Sequence, residues 1–373
     1  MRKLTLLVLA GLGAGPAADA QQVLEIDYTA GRTIIDDEWR HIDVNHLAME
    51  PTRGVLYAFD AEEPEGVMAF SLETGEWIRT VPTPKGDGPG EFPQGRQSMA
   101  IARDGGLYVS GFVRVLKFDT LGVRVGSWTP VVPARRTVCD LGGAPAVPTQ
   151  NGVVRRGPDD THEAIGSNAV QGEGVQAQSV DEGIAIARRL MSARIACTED
   201  VAYVVMTYDA GADSVFAYHR AGEAGKVALP TEGIEGMEEC RQVGGGDLPP
   251  GFQPVGGSCR YWSLSLRPSI DDHGNLVLFG RDWVVAGTII DPETGCHALV
   301  QKTAGFAELG RTPVRILSDS VLVVGQDTDV TETPDGRFNA RLSGVNNRVS
   351  LHPLRRISGD PCPGMLPSVD EVR

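Results

Sequence analysis

Met99-Ala100-Ile101-Ala102, Arg103-Asp104-Gly105-Gly106, Leu107-Tyr108-Val109 and Val113-Arg114-Val115-Leu116-Lys117-Phe118-Asp119, with Gly122 just beyond, decide how this chain folds. Each run is short and alternates at period two, the spacing of a half-buried β-strand. Asp104-Gly105 reads as a hairpin turn, because glycine accepts the positive φ that a tight turn imposes. The unit is a strand, a turn, a second strand, a gap, and a third strand closed by a glycine.

The rhythm recurs. One copy holds Leu47-Ala48-Met49, Arg53-Gly54, Val55-Leu56-Tyr57 and Met68-Ala69-Phe70 with Gly75. Another holds Ile195-Ala196-Cys197, Glu199-Asp200, Val201 to Val205 and Val215 to Tyr218 with Gly222. A fourth holds Ser269-Ile270, Asp272 to Asn275, Leu276-Val277-Leu278 and Thr288 to Asp291 with Gly295; a fifth holds Arg315-Ile316-Leu317, Ser318-Asp319, Val321 to Val324 and Val349-Ser350-Leu351. The second-strand anchors Tyr57, Tyr108, Tyr203, Leu278 and Val323 are 51, 95, 75 and 45 residues apart. The step of 95 is about twice the period, which leaves room for a degenerate copy between Val138 and Arg194.

Short strands repeating every 40 to 50 residues or so are the signature of propeller blades. The expected fold is all-β, a six-bladed β-propeller with four-stranded blades in one domain over residues 21–373; five and seven blades are the neighbouring counts. Val23 to Ile26 and Thr33 to Ile35 precede the first copy and are placed to close the ring, which would otherwise leave unpaired strand edges. From Ser179 to Met191 the pattern is divided: Ser179-Val180-Asp181-Glu182 matches a helix capping box, while Ile184 and Ile186 alternate as in a strand.

Residues 86–125 also carry a resemblance. Gly86-Asp87-Gly88-Pro89-Gly90-Glu91-Phe92, then Met99 to Val109, then Val113 to Asp119 and Gly122 resemble one NHL repeat, with its Gly-rich lead-in, its strand pair and its closing strand. The chain as a whole resembles secreted bacterial six-bladed propellers of the NHL and TolB-like type. Only this copy matches closely; the others keep the strand rhythm and lose the glycines. The resemblance implies the fold and leaves the activity open, since propellers host lyases, hydrolases, receptors and scaffolds alike.

Met1-Arg2-Lys3, the apolar run Leu4 to Ala14 and Ala18-Asp19-Ala20 form the three parts of a secretory signal, so cleavage is expected after Ala20 and the destination is periplasmic or extracellular. The run is too short for a bilayer span of about 20 residues, so no stable membrane anchor is expected. Six cysteines fit an oxidising compartment. None forms a C-x-x-C pair; Cys240 and Cys259 bracket a Gly/Pro-rich stretch that a local disulfide would staple, and in-order pairing of the rest joins Cys139 to Cys197 and Cys296 to Cys362. The net charge of -15 repels phosphate backbones, which excludes nucleic acid as a partner in the absence of a basic patch. A monomer is expected.

No catalytic constellation emerges. Gly86 to Gly90 lacks the Lys-Ser or Lys-Thr of a phosphate loop and reads as an inter-blade turn. Asp327 to Glu332 alternates oxygen ligands as a calcium loop does, but Glu332 stands where the turn glycine belongs and Phe338 where the bidentate glutamate belongs. Gly256-Gly257-Ser258-Cys259 fails as a nucleophile elbow at Arg260. Seven histidines are scattered (His41, His46, His162, His219, His273, His297, His352) without an H-E-x-x-H pair; a ring can still converge such residues, so a metal-assisted lyase or hydrolase stays as the alternative, although no cofactor or metal ligand set is assigned.

The favoured reading is a binding or interaction module for a small polar ligand or a protein partner. In a propeller the second-to-third-strand loops and the inter-blade loops gather on one face at the channel mouth. There the sequence places Glu62, Glu63 and Glu65; Lys85, Glu91 and Arg96; Tyr208 and Asp209; and Arg281, Asp282 and Trp283. A planar cation, a carboxylate and an aromatic face make Arg281, Asp282 and Trp283 the leading candidates, with Arg96, Lys85 and Tyr208 as neighbours. The plainer alternative packs Trp283 between blades and leaves the ions solvated.

Overall fold

A computed structural model of the chain describes residues 22–36, 41–60, 65–131, 137–149, 152–166, 193–206, 214–229, 267–279, 285–302, 312–317, 319–325, 328–332, 338–342, 347–359, 362 and 365. The expected signal segment, the Ser179–Met191 stretch and the Cys240–Cys259 pair lie outside them. Among the described residues the only helical pieces are two 3-10 turns, Pro51–Arg53 and Pro158–Asp160, and no helix is long and apolar enough to cross a membrane.

The strands begin with β1 (Gln22–Ile26) and β2 (Arg32–Asp36). Four antiparallel meanders follow, each ordered as in the sequence. The first is β3 (Ile42–Glu50), β4 (Val55–Asp60), β5 (Gly66–Ser71) and β6 (Trp77–Pro82). The second is β7 (Arg96–Ile101), β8 (Leu107–Gly111), β9 (Val115–Phe118) and β10 (Arg124–Trp128). The third, β11 (Cys139–Leu141), β12 (Ala144–Pro148), β13 (Val153–Arg156) and β14 (His162–Ile165), occupies the span reserved for the degenerate copy. The fourth is β15 (Ala193–Cys197), β16 (Val201–Met206), β17 (Ser214–His219) and β18 (Ala224–Ala228). Then come β19 (Arg267–Ile270), β20 (Leu276–Phe279), β21 (Val285–Ile290) and β22 (His297–Lys302), and after them β23 (Thr312–Leu317) and β24 (Ser320–Gly325). A separate hairpin, β25 (Thr328–Glu332) with β26 (Phe338–Leu342), precedes the last strand, β27 (Arg348–Ser358). The Asp327–Glu332 stretch, read above as a failed calcium loop, is thus strand from Thr328 onward.

First strands touch in succession, β3 with β7, β7 with β11, β11 with β15, β15 with β19, and β23 with β3, and the remaining link runs from β23 to β20, the neighbour of β19. Each apolar cluster lies between neighbouring sheets. Tyr57, Val67 and Val81 of the first sheet pack on Met99, Leu107 and Val109 of the second; Leu322, Val324 and Val349 at the chain's far end pack on Leu56, Met68 and Phe70 of the first. Sheets stacked face to face around an axis in this way make a β-propeller. Each buried Leu, Val or Phe contributes about 1.5–3 kcal/mol to this stack.

The Gly-rich lead-in of the second sheet supplies a wedge. Phe92 is fully buried against β8, where its ring lies 2.4 Å from the point a Cβ on Gly111 would occupy. Glu91 turns back into its own loop and accepts from the Gly88 N–H at 2.8 Å, so this loop consumes a donor that an anion site would need.

Closure uses both ends of the chain. β2 pairs with the first half of β27, completing a sheet with β24 and β23, while β1 pairs antiparallel with the second half of β27 and parallel with β22. The two closing segments expected from the sequence are therefore both used, and β1 fuses two neighbouring sheets into one. Arg355 lies against Asp27 just beyond β1. Disulfides join Cys139 to Cys197 and Cys296 to Cys362; the second ties the tail after β27 to the turn before β22, beside buried Met365.

Candidate functional site

The first-to-second-strand turns share one face. Arg53, after β3, donates to the Gly105 and Thr120 carbonyls at 3.1 and 2.9 Å. Arg103, after β7, pairs with Glu199 after β15 while its N–H donates to Asp140 at 3.0 Å. This face is laced by ion pairs, and the opposite ends of the same strands form the other mouth.

Between the mouths lies a cavity of about 540 Å³, lined by residues of β3, β7, β11, β15, β19 and β23. Met49, Met99, Ile101, Val138, Ile195, Ile270, Val314 and Leu322 give it apolar walls; His46, Gln97, Ser98, Thr137, Asp140, Arg194, Ser269 and Arg315 give it polar ones. The Cys139–Cys197 disulfide sits in the wall and fixes β11 against β15.

Arg315 is the unusual member. It lies on β23 just after the bulge at Val314, which brings two consecutive residues to the bore. Among the described residues its guanidinium makes no hydrogen bond or close ion pair; its resolved interactions are the more distant ones with Asp272, Glu50 and Asp271. Burial pushes it below its ordinary value and the three carboxylates pull it back, and an arginine stays charged throughout. Two of these carboxylates are committed to their own turns: Glu50 accepts from the Thr52 N–H at 3.1 Å, and Asp271 from the His273 and Asn275 N–H groups at 2.9 and 2.8 Å.

Toward the other mouth β3 loops outward. Ile42 faces Asp60 and Leu47 faces Ala58, so four residues oppose a single one, and this bulge carries Asp43 and His46. Their side chains meet at 2.7 Å through His46 Nδ1, with the imidazole 5.0 Å from the Phe59 ring. Arg194, on β15, lines the same cavity.

Of the sequence-derived candidates, Arg281, Asp282, Trp283 and Tyr208 lie outside the described residues. Lys85 is exposed in the loop before the Phe92 wedge. Arg96 opens β7 with its guanidinium 4.9 Å from the Phe59 centroid, donating to the Gly66 carbonyl and to Thr83 Oγ1 at 3.3 Å; it ties the first sheet to the second. The histidines do not converge. His46 lines the cavity, whereas His162 contacts the Thr129 carbonyl on the rim and His352 is buried in the closure with Ser350. Among the described residues no three His, Cys, Asp or Glu side chains are grouped as a metal would require. Sequence reasoning missed Arg194, Arg315 and Asp43, and named His46 only as one of seven scattered histidines. The available signal was an arginine set inside an otherwise apolar first strand, Arg315 beside Ile316 and Arg194 beside Ile195.

No protein-family model matches the sequence, and no curated protein does. Among solved structures the chain is similar to a virginiamycin B lyase from Staphylococcus aureus with quinupristin (8% identity, TM-score 0.46, 88% of this chain and 99% of that one). It is also similar to a gluconolactonase from Xanthomonas campestris (13%, 0.45, 91% and 98%) and to the WD40 repeats of RRP9 (12%, 0.46, 89% and 100%).

Proposed function

We propose that this chain is an exported, monomeric six-bladed propeller with four-stranded blades, and that it is a binding module taking a small polar ligand into its central bore. The observation that carries this reading is Arg315: a partly buried cation whose donors meet no acceptor among the described residues, set in a cavity of ligand size. Its donors line the cavity and can meet the acceptor of a molecule that enters, so the position is expected to serve a ligand. Arg194 and His46 line the route from the open mouth, where Arg281, Asp282, Trp283, Lys85 and Tyr208 would add outer contacts. Arg96 is better suited to holding that mouth's shape.

The test is a thermal-shift screen of small polar compounds, followed by titration of the hits against Arg315→Gln. A charge-assisted hydrogen bond is worth about 1.5–3 kcal/mol, so affinity should fall on the order of 10- to 100-fold. Hits that bind the variant as well as the parent chain overturn the assignment. The paired Asp43 and His46 favour a second reading, a lyase or hydrolase, because a carboxylate on Nδ1 orients an imidazole as a base. Elemental analysis of chelator-free protein separates the metal-assisted form of that reading, which requires a stoichiometric Zn²⁺ or Ca²⁺.

A further inference from the structure

We infer that the bore takes a small organic anion whose carboxylate lies between the guanidinium groups of Arg194 and Arg315. The inference rests on the bore being the ligand site, and it names the class of ligand that site takes.

Three first strands bring the relevant side chains to one level of the bore. Arg194 stands three positions before the end of β15 at Cys197, Ser269 one before the end of β19 at Ile270, and Arg315 two before the end of β23 at Leu317. These strands end on the same face, so at about 3.3 Å per residue the three positions fall within about 7 Å along the bore. The sheet of β19 lies between β15 and β23, touching both. All three residues line one cavity of about 540 Å³, a size that holds a single small molecule, so a ligand filling it reaches both arginines. Ser269 Oγ, on the strand between them, is buried and meets no hydrogen-bond partner among the described residues. A rotation about its Cα–Cβ bond turns that O–H toward a ligand oxygen.

The charge balance of the wall is the reverse of the chain's. The chain carries a net charge of -15, yet among the described residues the cavity wall sets two arginines against one carboxylate, Asp140. Both Asp140 oxygens are already engaged, by the Arg103 and Gly143 N–H groups at 3.0 and 2.8 Å. Glu50 at the end of β3 and Asp271 just after β19 are likewise held by N–H groups of their own turns, and Asp272 is exposed to solvent. Two cations in a confined and weakly screened site attract an anion, and the guanidinium fork matches the two oxygens of a carboxylate. Met49, Ile270, Val314 and Leu322 supply apolar surface beside them. The match is a carboxylate on an apolar frame.

Benzoate and benzamide have nearly the same shape and differ in charge, which makes them suitable probes. The full chain, ¹⁵N-labelled, is titrated with each while the Nε–Hε signals of Arg194 and Arg315 are followed, each assigned by its loss in Arg194→Lys or Arg315→Lys. Benzoate is expected to shift both signals with one affinity, at least roughly tenfold above that of benzamide. Arg194→Gln should weaken benzoate roughly tenfold and change benzamide by less than about threefold. Benzamide binding as tightly as benzoate overturns the anion inference and leaves the bore as the site. Benzoate shifting Arg315 alone, with Arg194→Gln indifferent, overturns the pairing of the two arginines. Silence of both signals toward both probes, up to roughly 100 mM, overturns the site itself.

Discussion

Gly111→Ala is expected to destabilise the protein, and Phe92→Ala is expected to rescue it in part. The new methyl would stand 2.4 Å from Phe92 Cδ1, 3.2 Å from Cε1 and 3.3 Å from the Gly95 carbonyl oxygen. Carbon atoms rest about 3.5–4.0 Å apart, so the ring must retreat by about 1 Å. Its backbone holds it in place: Phe92 N–H donates to the Pro84 carbonyl at 2.9 Å and its carbonyl accepts from Gly95 N–H at 3.0 Å. Gly111 is not among the positive-φ glycines, so the cost is steric and amounts to about 1–3 kcal/mol. Phe92→Ala alone removes a fully buried ring and costs about 3–5 kcal/mol. In the double variant the methyl enters the vacated space, and the combined loss should fall short of the sum by about 1–2 kcal/mol. Urea unfolding followed by tryptophan fluorescence measures all three. Additivity within about 0.5 kcal/mol would refute the wedge.

Replacing Cys296 and Cys362 together by serine opens a loop of 66 residues; the chain-entropy estimate is a loss of about 4 kcal/mol, read as a lower urea midpoint, and an unchanged midpoint would show that the tail is held by packing alone. Asp27 is held below its ordinary 3.8 chiefly by the Thr29 hydroxyl, with Arg355 adding to the effect. A carboxylate depressed in the folded state contributes stability above its unfolded value and loses it as pH falls through the folded one. Asp27→Asn should therefore flatten the decline of the urea midpoint below about pH 4, and equal slopes in parent and variant would contradict this. A non-reduced peptide map should join Cys240 to Cys259; finding both as free thiols removes the proposed loop staple.

The blade interior was legible because it is local. Leu47 to Met49, Val55 to Tyr57 and Met68 to Phe70 fall in β3, β4 and β5, since period-two alternation and glycine turns act over a few residues. The degenerate copy could be located from the repeat step although its turn is Gly142-Gly143 rather than Asp-Gly. Ring closure was only half legible. That β1 and β2 are strands follows from Val23 to Ile35, whereas the sharing of β27 between them depends on partners more than 300 positions away. The site was largely illegible for the same reason. Arg315 and Glu50 are 265 positions apart in sequence, and no spacing rule brings the end of one first strand beside another; only the closed ring does. The loop candidates were chosen for residue type, which identifies chemistry without saying where the bore lies.

The pairing of β1 with both β22 and β27 also sets the order of events when the chain is made. Each meander from β3 to β18 finds its partners within one repeat, so these sheets can form as soon as they emerge. β1 and β2 cannot. Gln22 to Asp36 precedes the meanders and must wait, β1 until residues 297–302 offer it a first partner and both strands until residues 348–358 arrive. Closure is therefore the last and most non-local step. A chain truncated before β27 would hold several finished sheets and an N-terminal strand with nothing to complete, a species disposed to borrow the missing edge from a second molecule.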